Sequence, residues 1–464
     1  MIAMTLSEAA DLLGGQLFDP SEADPLLTGA AADSRRLQPG QLYVAIVGER
    51  VDGHQFAAQA MAAGAAGVLG ERPTGVPTIV VDDPVEALGA LARAVIDRTP
   101  GLDVVAVTGS SGKTSTKDLI AQVVAARGPV VATVGSFNTE VGLPLTVLQA
   151  DDQTRTLVLE MGARGIGHIA YLCGIAPPLV GVLLNVGSAH LGEFGGREAI
   201  AAAKSEIITD LPATGTAVLY ADDPIVAGLA AVTDAQVVTF GEHPGAGVRI
   251  TDLHLDALAR ASFTLHHDGQ QAPVSLQVHG EHQAVNAAAA AAVGLALGMT
   301  LDDVAAGLSA ATAQSALRMD VQTAASGVIV VNDAYNANPE SMRAALKSLA
   351  AMGRASGGRT YAVLGEMLEL GEDSLQEHDA IGRLAVRLNI GKTVAVGQGA
   401  KAIELGASHE GSWNEEAVWV PDVEAAIDML RQELRPGDIV LVKASRGVAL
   451  ERVAEALLAE EGVS

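Results

Sequence analysis

The chain has 464 residues, 49% hydrophobic but only 3% aromatic, with 55 acidic against 29 basic residues and a net charge of −26. That length exceeds one ordinary core and predicts about three domains, with interiors filled by Ala, Val and Leu, while the charge excludes nucleic acid or an anionic membrane held by the general field, so an anionic substrate needs a local basic site. The single cysteine, Cys173, excludes an intramolecular disulfide and fits a reducing compartment.

In chain order, MIAMTLSEAADLLGG predicts a short amphipathic helix and lacks the basic start of a signal peptide. The longest apolar run, Ala287 to Met299, is mostly alanine and shorter than the roughly 20 residues that span a bilayer, so a buried helix is expected. The stretch to Thr99 predicts a small α/β domain, with a strand at Gln41 to Val47, an alanine-rich helix, and strands near Val68 and at Thr78 to Val81. Asp97-Arg98-Thr99-Pro100-Gly101 has the composition of a linker.

From Val104, apolar strands alternate with helices: Pro129 to Val134, Thr156 to Glu160, Leu179 to Leu184, Thr216 to Tyr220 and Val237 to Phe240. This alternation predicts a parallel sheet with helices on both faces and ligands at its C-terminal strand ends. Shorter alternating stretches near Val248, Ala261 and Val274 predict an antiparallel edge, followed by helices at Glu281 to Leu297 and Leu301 to Ala311. From Leu317 a second open α/β pattern begins, with strands at Val328 to Asn332, Thr360 to Leu364, Thr393 to Val396, Ala417 to Val420 and Ile439 to Val442. The expected domains are 1–99, 100–314 and 315–464.

The strongest chemical signal is Val104 to Leu119, VVAVTGSSGKTSTKDL. A buried strand gives way to Gly109, Ser110, Ser111 and Gly112, then to a helix opening Lys113-Thr114-Ser115. Glycines that let backbone N–H groups turn to an anion, a positive helix end, a lysine and a hydroxyl suited to Mg²⁺ make a phosphate cradle. It is one glycine short of the usual pattern, since Val107 stands in that place.

The remaining candidates each have a plain reading beside the chemical one. Glu160 at a strand end is either a ligand for the same ion or a solvated cap. His190 on a glycine-containing turn is a ligand or a satisfied structural residue. Lys204 is either an exposed helical lysine paired locally with Glu206 or a phosphate partner; as an ammonium it has no lone pair for a metal. His282 and Asn286 share one helical face and could cap, pack or bind. Arg318 suits stacking or phosphate pairing, and Asp333-Ala334-Tyr335-Asn336-Ala337-Asn338-Pro339-Glu340-Ser341-Met342 crowds polar groups into a turn before a helix.

These motifs resemble the Mur ligase family across nearly the whole chain. Thr108 to Thr114 matches its short phosphate loop, and DAYNANPESM, GEMLELG from Gly365, His378 and Lys443-Ala444-Ser445-Arg446 are similar to its D-alanyl-D-alanine-adding branch. The resemblance implies an α/β chain of three domains, a central parallel-sheet P-loop ATPase domain flanked by a small N-terminal α/β domain and a C-terminal open, Rossmann-like α/β domain. It implies ATP-dependent joining of D-Ala-D-Ala to UDP-MurNAc-tripeptide through an acyl phosphate, in a cytoplasmic monomer with no nucleic acid or membrane partner. Thr114, Glu160 and His190 would hold magnesium, two Mg²⁺ ions being expected, and Lys204 would carry CO₂ as a carbamate. His190, Lys113 and Lys204 would be catalytic. Gly109 to Ser115, His282, Asn286, Arg318, Asp333 and Asn336 would surround ATP, while Ser34, Arg35, Gly53, His54, Asn138 and Thr139 would touch the UDP substrate. The chain departs from the family pattern at Thr139, Tyr220, Gln283, Leu317 and Ala444. Alternatives are another amide ligase of the family, such as the third-amino-acid adder, whose Asp-Asn-Pro-Arg motif is missing, or a P-loop nucleotide-binding switch.

Overall fold

The computed structural model describes residues 1–20, 22–187, 196–412 and 415–459, without the side chain of residue 197. Three sheets follow one another along the chain. The first contains β1 (Gln16–Phe18), β2 (Gly29–Ala31), β3 (Gln41–Val44), β4 (Gly67–Gly70) and β5 (Thr78–Val80) in the order β1-β5-β4-β3-β2. Its strands run parallel except β1, which pairs antiparallel with β5. The N-terminal helix is Leu6–Leu13, started by a capping box in which Thr5 Oγ1 accepts from the Glu8 amide and Glu8 accepts from the Thr5 amide.

Among the described residues the central sheet has nine strands: β6 (Asp103–Thr108), β7 (Val130–Ala132), β8 (Thr156–Glu160), β9 (Val180–Leu183), β10 (Thr216–Tyr220), β11 (Gln236–Gly241), β12 (Val248–Leu255), β13 (Arg260–His267) and β14 (Gln270–His279). Their order is β14-β13-β12-β11-β10-β9-β6-β8-β7. Strands β7 to β12 are parallel, and β12-β13-β14 form the antiparallel edge that the sequence predicts. β6 lies between β8 and β9, so the chain winds away from it in both directions. Such a reversal opens a crevice at the strand ends, and the phosphate loop leaves β6 into it.

The third sheet contains β15 (Asp320–Thr323), β16 (Ile329–Asn332), β17 (Thr360–Leu364), β18 (Lys392–Val396), β19 (Ala417–Val420) and β20 (Ile439–Lys443) in the order β15-β16-β20-β17-β18-β19. Among the described strands only β15 runs antiparallel; its short, half-exposed DVQT segment has no apolar run to reveal it from sequence. The last strand in the chain lies between the second and third of this sheet, so three distant segments end side by side at one edge.

The first two sheets share one apolar core. Leu88, Leu91 and Val95 of the helix Pro84–Asp97 belong to the same buried cluster as Leu143, Leu157 and Ile169 of the central body. Gly89 on that helix allows the approach, because a Cβ there would stand 3.1 Å from Ile175 Cδ1. The linker composition at 97–101 therefore marks a chain turn and not a gap in packing. On the other face of the central sheet lies the helix His282–Ala296, with Ala287 to Ala292 all fully buried. Cys173 is buried, its thiol pushed up to about 12, mainly by burial and then by the charges of Asp210 and Glu206. Among the described residues no helix is long and apolar enough to cross a membrane.

Candidate active site

The loop after β6 and the helix Lys113–Val124 form one wall of a cavity of about 400 Å³. Gly112 is the N-cap residue, with φ +82°, and no side chain caps the helix. Any other residue would be strained there, and its Cβ would come within 2.7 Å of Asn286 Oδ1. Asn286 Nδ2 in turn donates to Gln283 Oε1 at 2.9 Å, so the glutamine departure from the family pattern is the residue that fixes the amide facing the loop.

One expectation changes. The amides of Ser110 and Ser111 both donate to Asn185 Oδ1 at 3.0 Å, and Asn185 Nδ2 donates back to the Ser111 carbonyl. Asn185 clamps the loop, leaving the amides of the uncapped helix start as anion donors. The sequence analysis gives Asn185 no role; a polar residue just after the apolar strand β9 was the available signal.

Thr114 and Glu160 meet at the cavity floor, where Thr114 Oγ1 donates to Glu160 Oε2 at 2.8 Å and Asn138 Nδ2 donates to Glu160 Oε1 at 2.7 Å. Asn138, expected to touch substrate, is thus held by the buried carboxylate. A hydroxyl and a carboxylate are hard oxygen donors that suit Mg²⁺, which keeps several waters of its own. Among the described residues no three His, Cys, Asp or Glu side chains gather into a metal site, and His190 lies outside the described residues. Lys113 Nζ donates to the Gly109 carbonyl at 2.7 Å; burial holds its pKa down, opposed by Glu160 and assisted by Arg318.

The other wall comes from the third sheet. Arg318 Nη2 donates to Thr114 Oγ1 at 3.1 Å, and its guanidinium lies 4.1 Å from the centre of the Tyr335 ring. Leu317 and Met319 on either side have φ of +60° and +49°. Leu317 therefore occupies the left-handed conformation for which the expected glycine is suited. The preceding linker is fastened to the phosphate-loop helix: Gln122 Nε2 donates to the Thr312 carbonyl, the Thr312 amide donates to Gln122 Oε1, and Ser315 Oγ donates to Asp118 Oδ2 at 2.6 Å.

The polar cluster from Asp333 divides in two. Asn338 is the N-cap of the helix Pro339–Ser356, accepting from the Ser341 amide while Ser341 Oγ accepts from the Asn338 amide. Its Nδ2 also donates across the cavity to the Ser110 carbonyl at 3.3 Å. Asp333 instead forms a buried ion pair with Lys443 at the end of β20, 2.6 Å apart, and Lys443 donates to the Asn336 carbonyl as well. Burial pulls the Lys443 pKa down and Asp333 opposes it. His282 Nδ1 and Arg318 Nε are buried without hydrogen-bond partners among the described residues, two polar atoms that a ligand's oxygens could satisfy. Burial lowers the His282 pKa.

Ser110 to Ser115, Asn138, Glu160, His282, Asn286, Arg318, Asp333 and Asn336 therefore all line this one cavity, joined by Lys443, Tyr335, Tyr220 and the segment Leu368 to Leu370. Gly109 contributes the carbonyl that receives Lys113. Thr139 and Lys204 do not line it. Lys204 is 2% exposed, and burial followed by the charge of Lys113 brings its pKa down to about 7. Glu206 is not its local partner, because that carboxylate accepts the Gly167 and Ala170 amides at the start of the helix His168–Ile175.

The N-terminal candidates stand apart from the cavity lining. Arg35 grips Asp33 through two nitrogens in an exposed turn beside Ser34, holding the Asp33 carboxyl down to about 2. His54 is buried and spent on the fold: Nε2 accepts from the Glu71 amide, so Nδ1 carries the proton donated to Asp52. That bond and the one from the His54 amide, with Arg72 after them, lower Asp52 to about 2. Gly53 is obligatory, since a Cβ would meet Ile46 backbone at 2.7 Å.

A phosphate cradle at the switch point of a parallel sheet, faced by a second α/β body that supplies cations and a buried ion pair, defines an α/β protein built to work on a nucleotide between two domains. Comparison with known proteins places it further. Residues 27–96, 107–294 and 317–446 match the descriptions "Mur ligase family, catalytic domain", "Mur ligase middle domain" and "Mur ligase, glutamate ligase domain". The chain is 48% identical to the UDP-N-acetylmuramoyl-tripeptide--D-alanyl-D-alanine ligase of Mycobacterium tuberculosis over 99% of both chains, and 34% identical to the ligase of that name from Bacillus subtilis over 99% of both. A crystal structure of MurF from Acinetobacter baumannii superposes with a TM-score of 0.87 at 32% identity, covering 99% of each chain. A MurF ligase from Thermotoga maritima, solved with ADP, gives 0.79 at 34%, covering 93% of this chain and 97% of that one. The chain belongs to the Mur ligase family.

Proposed function

We propose that this chain is the ATP-dependent ligase that joins D-alanyl-D-alanine to UDP-N-acetylmuramoyl-tripeptide in cytoplasmic peptidoglycan precursor synthesis. The observation that carries the reading is the single cavity in which the uncapped helix start at Lys113 faces the Arg318, Asp333 and Lys443 wall. Full-length relatives with that name, and a solved relative holding ADP, support it.

Joining a carboxylate to an amine in water requires a better leaving group than oxide. The tripeptide carboxylate oxygen attacks the γ-phosphorus of ATP, the bond to the β-phosphate oxygen breaks, and ADP leaves. The dipeptide nitrogen then attacks the acyl carbon, sheds a proton, and expels inorganic phosphate. Two anions meet in the first step, so Lys113 and Arg318 lower the repulsion and steady the transferring group. The amides of the helix start orient the phosphates, and the Arg318 and Asn338 contacts across the cavity help exclude water from the acyl phosphate.

Thr114 and Glu160 fit Mg²⁺ by donor type, and the ion when bound supplies charge neutralisation between phosphoryl oxygens. Lys204, with a pKa near 7 and no acid among the described groups that shift it, has access to the neutral amine that takes up CO₂. As a carbamate it would become an oxygen ligand for a second ion, and His190 is a magnesium ligand by family resemblance; ¹³C-bicarbonate labelling that yields no carbamate carbonyl signal sinks this part. In the same reading residues 1–99 hold the UDP end, with Ser34 and Arg35 at its surface and Gly53 and His54 shaping its loop. Residues 100–314 hold ATP, and 315–464 close over it and receive the dipeptide.

The test crosses UDP-muramoyl peptides against D-Ala-D-Ala and single amino acids while phosphate release is measured. Turnover should require ATP, the tripeptide and the dipeptide together. Equal turnover with single amino acids, or release without the dipeptide, overturns the proposal and favours the other family members or a switch.

A further inference from the structure

The cavity holds an aromatic patch that the mechanism above leaves without a task. Tyr220 closes β10, and its parallel neighbour on β11 is Phe240. The two rings stack with centres 5.3 Å apart and planes 26° apart. Phe240 is fully buried, whereas Tyr220 is half-buried and lines the cavity. A glycine makes room for this arrangement: at Gly241, with φ +140°, a Cβ would stand 3.1 Å from Tyr220 Cε2 and collide with Asp222 Oδ2. Asp222 in turn accepts from the Glu242 amide at 2.8 Å. Burial, then the charges of Asp222, Glu242 and Asp223, push the Tyr220 phenol up to about 12, so the ring is uncharged at neutral pH.

The strand order fixes where the patch lies. Outward from β6, Glu160 ends β8 on one side, while β9 and then β10 follow on the other. The turn after β10 is tied to the phosphate loop. Asp223 Oδ2 accepts from the Val186 amide at 3.0 Å, and Asn185, one residue before, holds the Ser110 and Ser111 amides. The helix His282–Ala296 packs on β10 and β11 and brings Val285 and Asn286 into the same cavity lining.

A direction for bound ATP follows. The Thr114 hydroxyl and the Glu160 carboxylate suit the ion that bridges the β- and γ-phosphates, so the γ end belongs on the β8 side, next to Asn138. The nucleoside end then runs the other way, toward β10, two strands from β6 and so about 10 Å away at the usual strand spacing. A flat base needs a π surface there. The other tyrosine lining the cavity, Tyr335, already carries guanidinium groups, that of Arg318 at 4.1 Å and that of Arg446 at 5.9 Å from its ring centre.

We propose that the adenine base of ATP stacks on Tyr220, with Phe240 supporting the ring and Val285 beside it. The inference deepens the ligase reading and rests on its use of ATP. Calorimetry on the full chain with Mg²⁺ compares ADP with tripolyphosphate, which has no base. Tyr220→Asn, which puts in the residue of the family pattern, should weaken ADP binding about tenfold, the size of one lost base–aromatic stack. Tripolyphosphate binding should move by less than about twofold. Tyr220→Phe keeps the ring and should hold ADP within about twofold of wild type. Unchanged ADP affinity in folded Tyr220→Asn overturns the inference, as does an equal loss with tripolyphosphate, which puts the damage in the phosphate cradle. A loss in Tyr220→Phe as large as in Tyr220→Asn assigns the contact to the hydroxyl and overturns stacking. A wild type that shows this ADP pattern but does not join the dipeptide to the tripeptide overturns the ligase reading alone.

Discussion

The two walls of the cavity are built in opposite ways. The phosphate wall comes from one continuous stretch, in which strand, glycine turn and helix start follow within Val104 to Leu119, with Asn185 and Glu160 added from neighbouring strand ends. The opposing wall is assembled from segments of which the outermost, Asp333 and Lys443, are 110 residues apart: Asp333 after β16, Lys443 at the end of β20, and Glu366 to Leu370 after β17. The first is shaped by backbone conformation and the second by side-chain pairing. Damage to the first should therefore fall on chemistry with little loss of fold, and damage to the second on both.

The sharpest test is Lys113→Ala, expected to lower kcat by about a hundredfold to a thousandfold while the melting temperature stays close to wild type; a large loss of stability would erase the contrast. Lys443→Ala should do the reverse in proportion, costing about 3–5 kcal/mol because Asp333 is left charged and buried, as measured by urea unfolding. Asn185→Ala removes the acceptor shared by the Ser110 and Ser111 amides and should cost about 2 kcal/mol, with a higher KM for ATP. This is the place where the phosphate wall depends on a side chain.

A smaller effect concerns pH. Burial lowers the His378 pKa from its ordinary value, opposed by its bond to Ser374. Below about pH 6.5 the unfolded histidine takes up a proton that the folded one resists, so stability present above that pH is lost as the pH falls toward the lowered folded value. His378→Gln should show a shallower acid limb in unfolding measured from pH 7.5 to 5. The smallest change is Leu317→Gly, which relieves a left-handed residue but frees the unfolded chain; stability within about 1 kcal/mol of wild type is expected, and a larger loss would mean that the leucine side chain holds the linker.

The same contrast explains what was legible. Thr156 to Glu160, Thr360 to Leu364 and Ala417 to Val420 are strands at the predicted bounds, because each is an apolar run between breaks. β2 and β15 escaped, being three or four residues long and without such a run. Motif matching found Asp333 and Asn336 but not that Lys443 joins them, since pairing across 110 residues leaves no local trace. Yet a charged residue closing an apolar strand is the signal that singled out Glu160, and it applied equally to Lys443. His54 carries another bond without a local trace: its Nε2 accepts from the Glu71 amide, 17 residues on, while Nδ1 pairs with Asp52.

Six buried alanines in succession, Ala287 to Ala292, surround the axis of the helix His282–Ala296 almost evenly. A helix with one apolar stripe is oriented by that stripe; here methyl groups meet the core on every side, and close approaches near the two ends mark the azimuth. Gly294 admits Val304 at one, where a Cβ would stand 2.8 Å from its Cγ2, and Asn286, steadied by Gln283, abuts Gly112 near the other. The second of these contacts engages the residue from which the phosphate-binding helix begins.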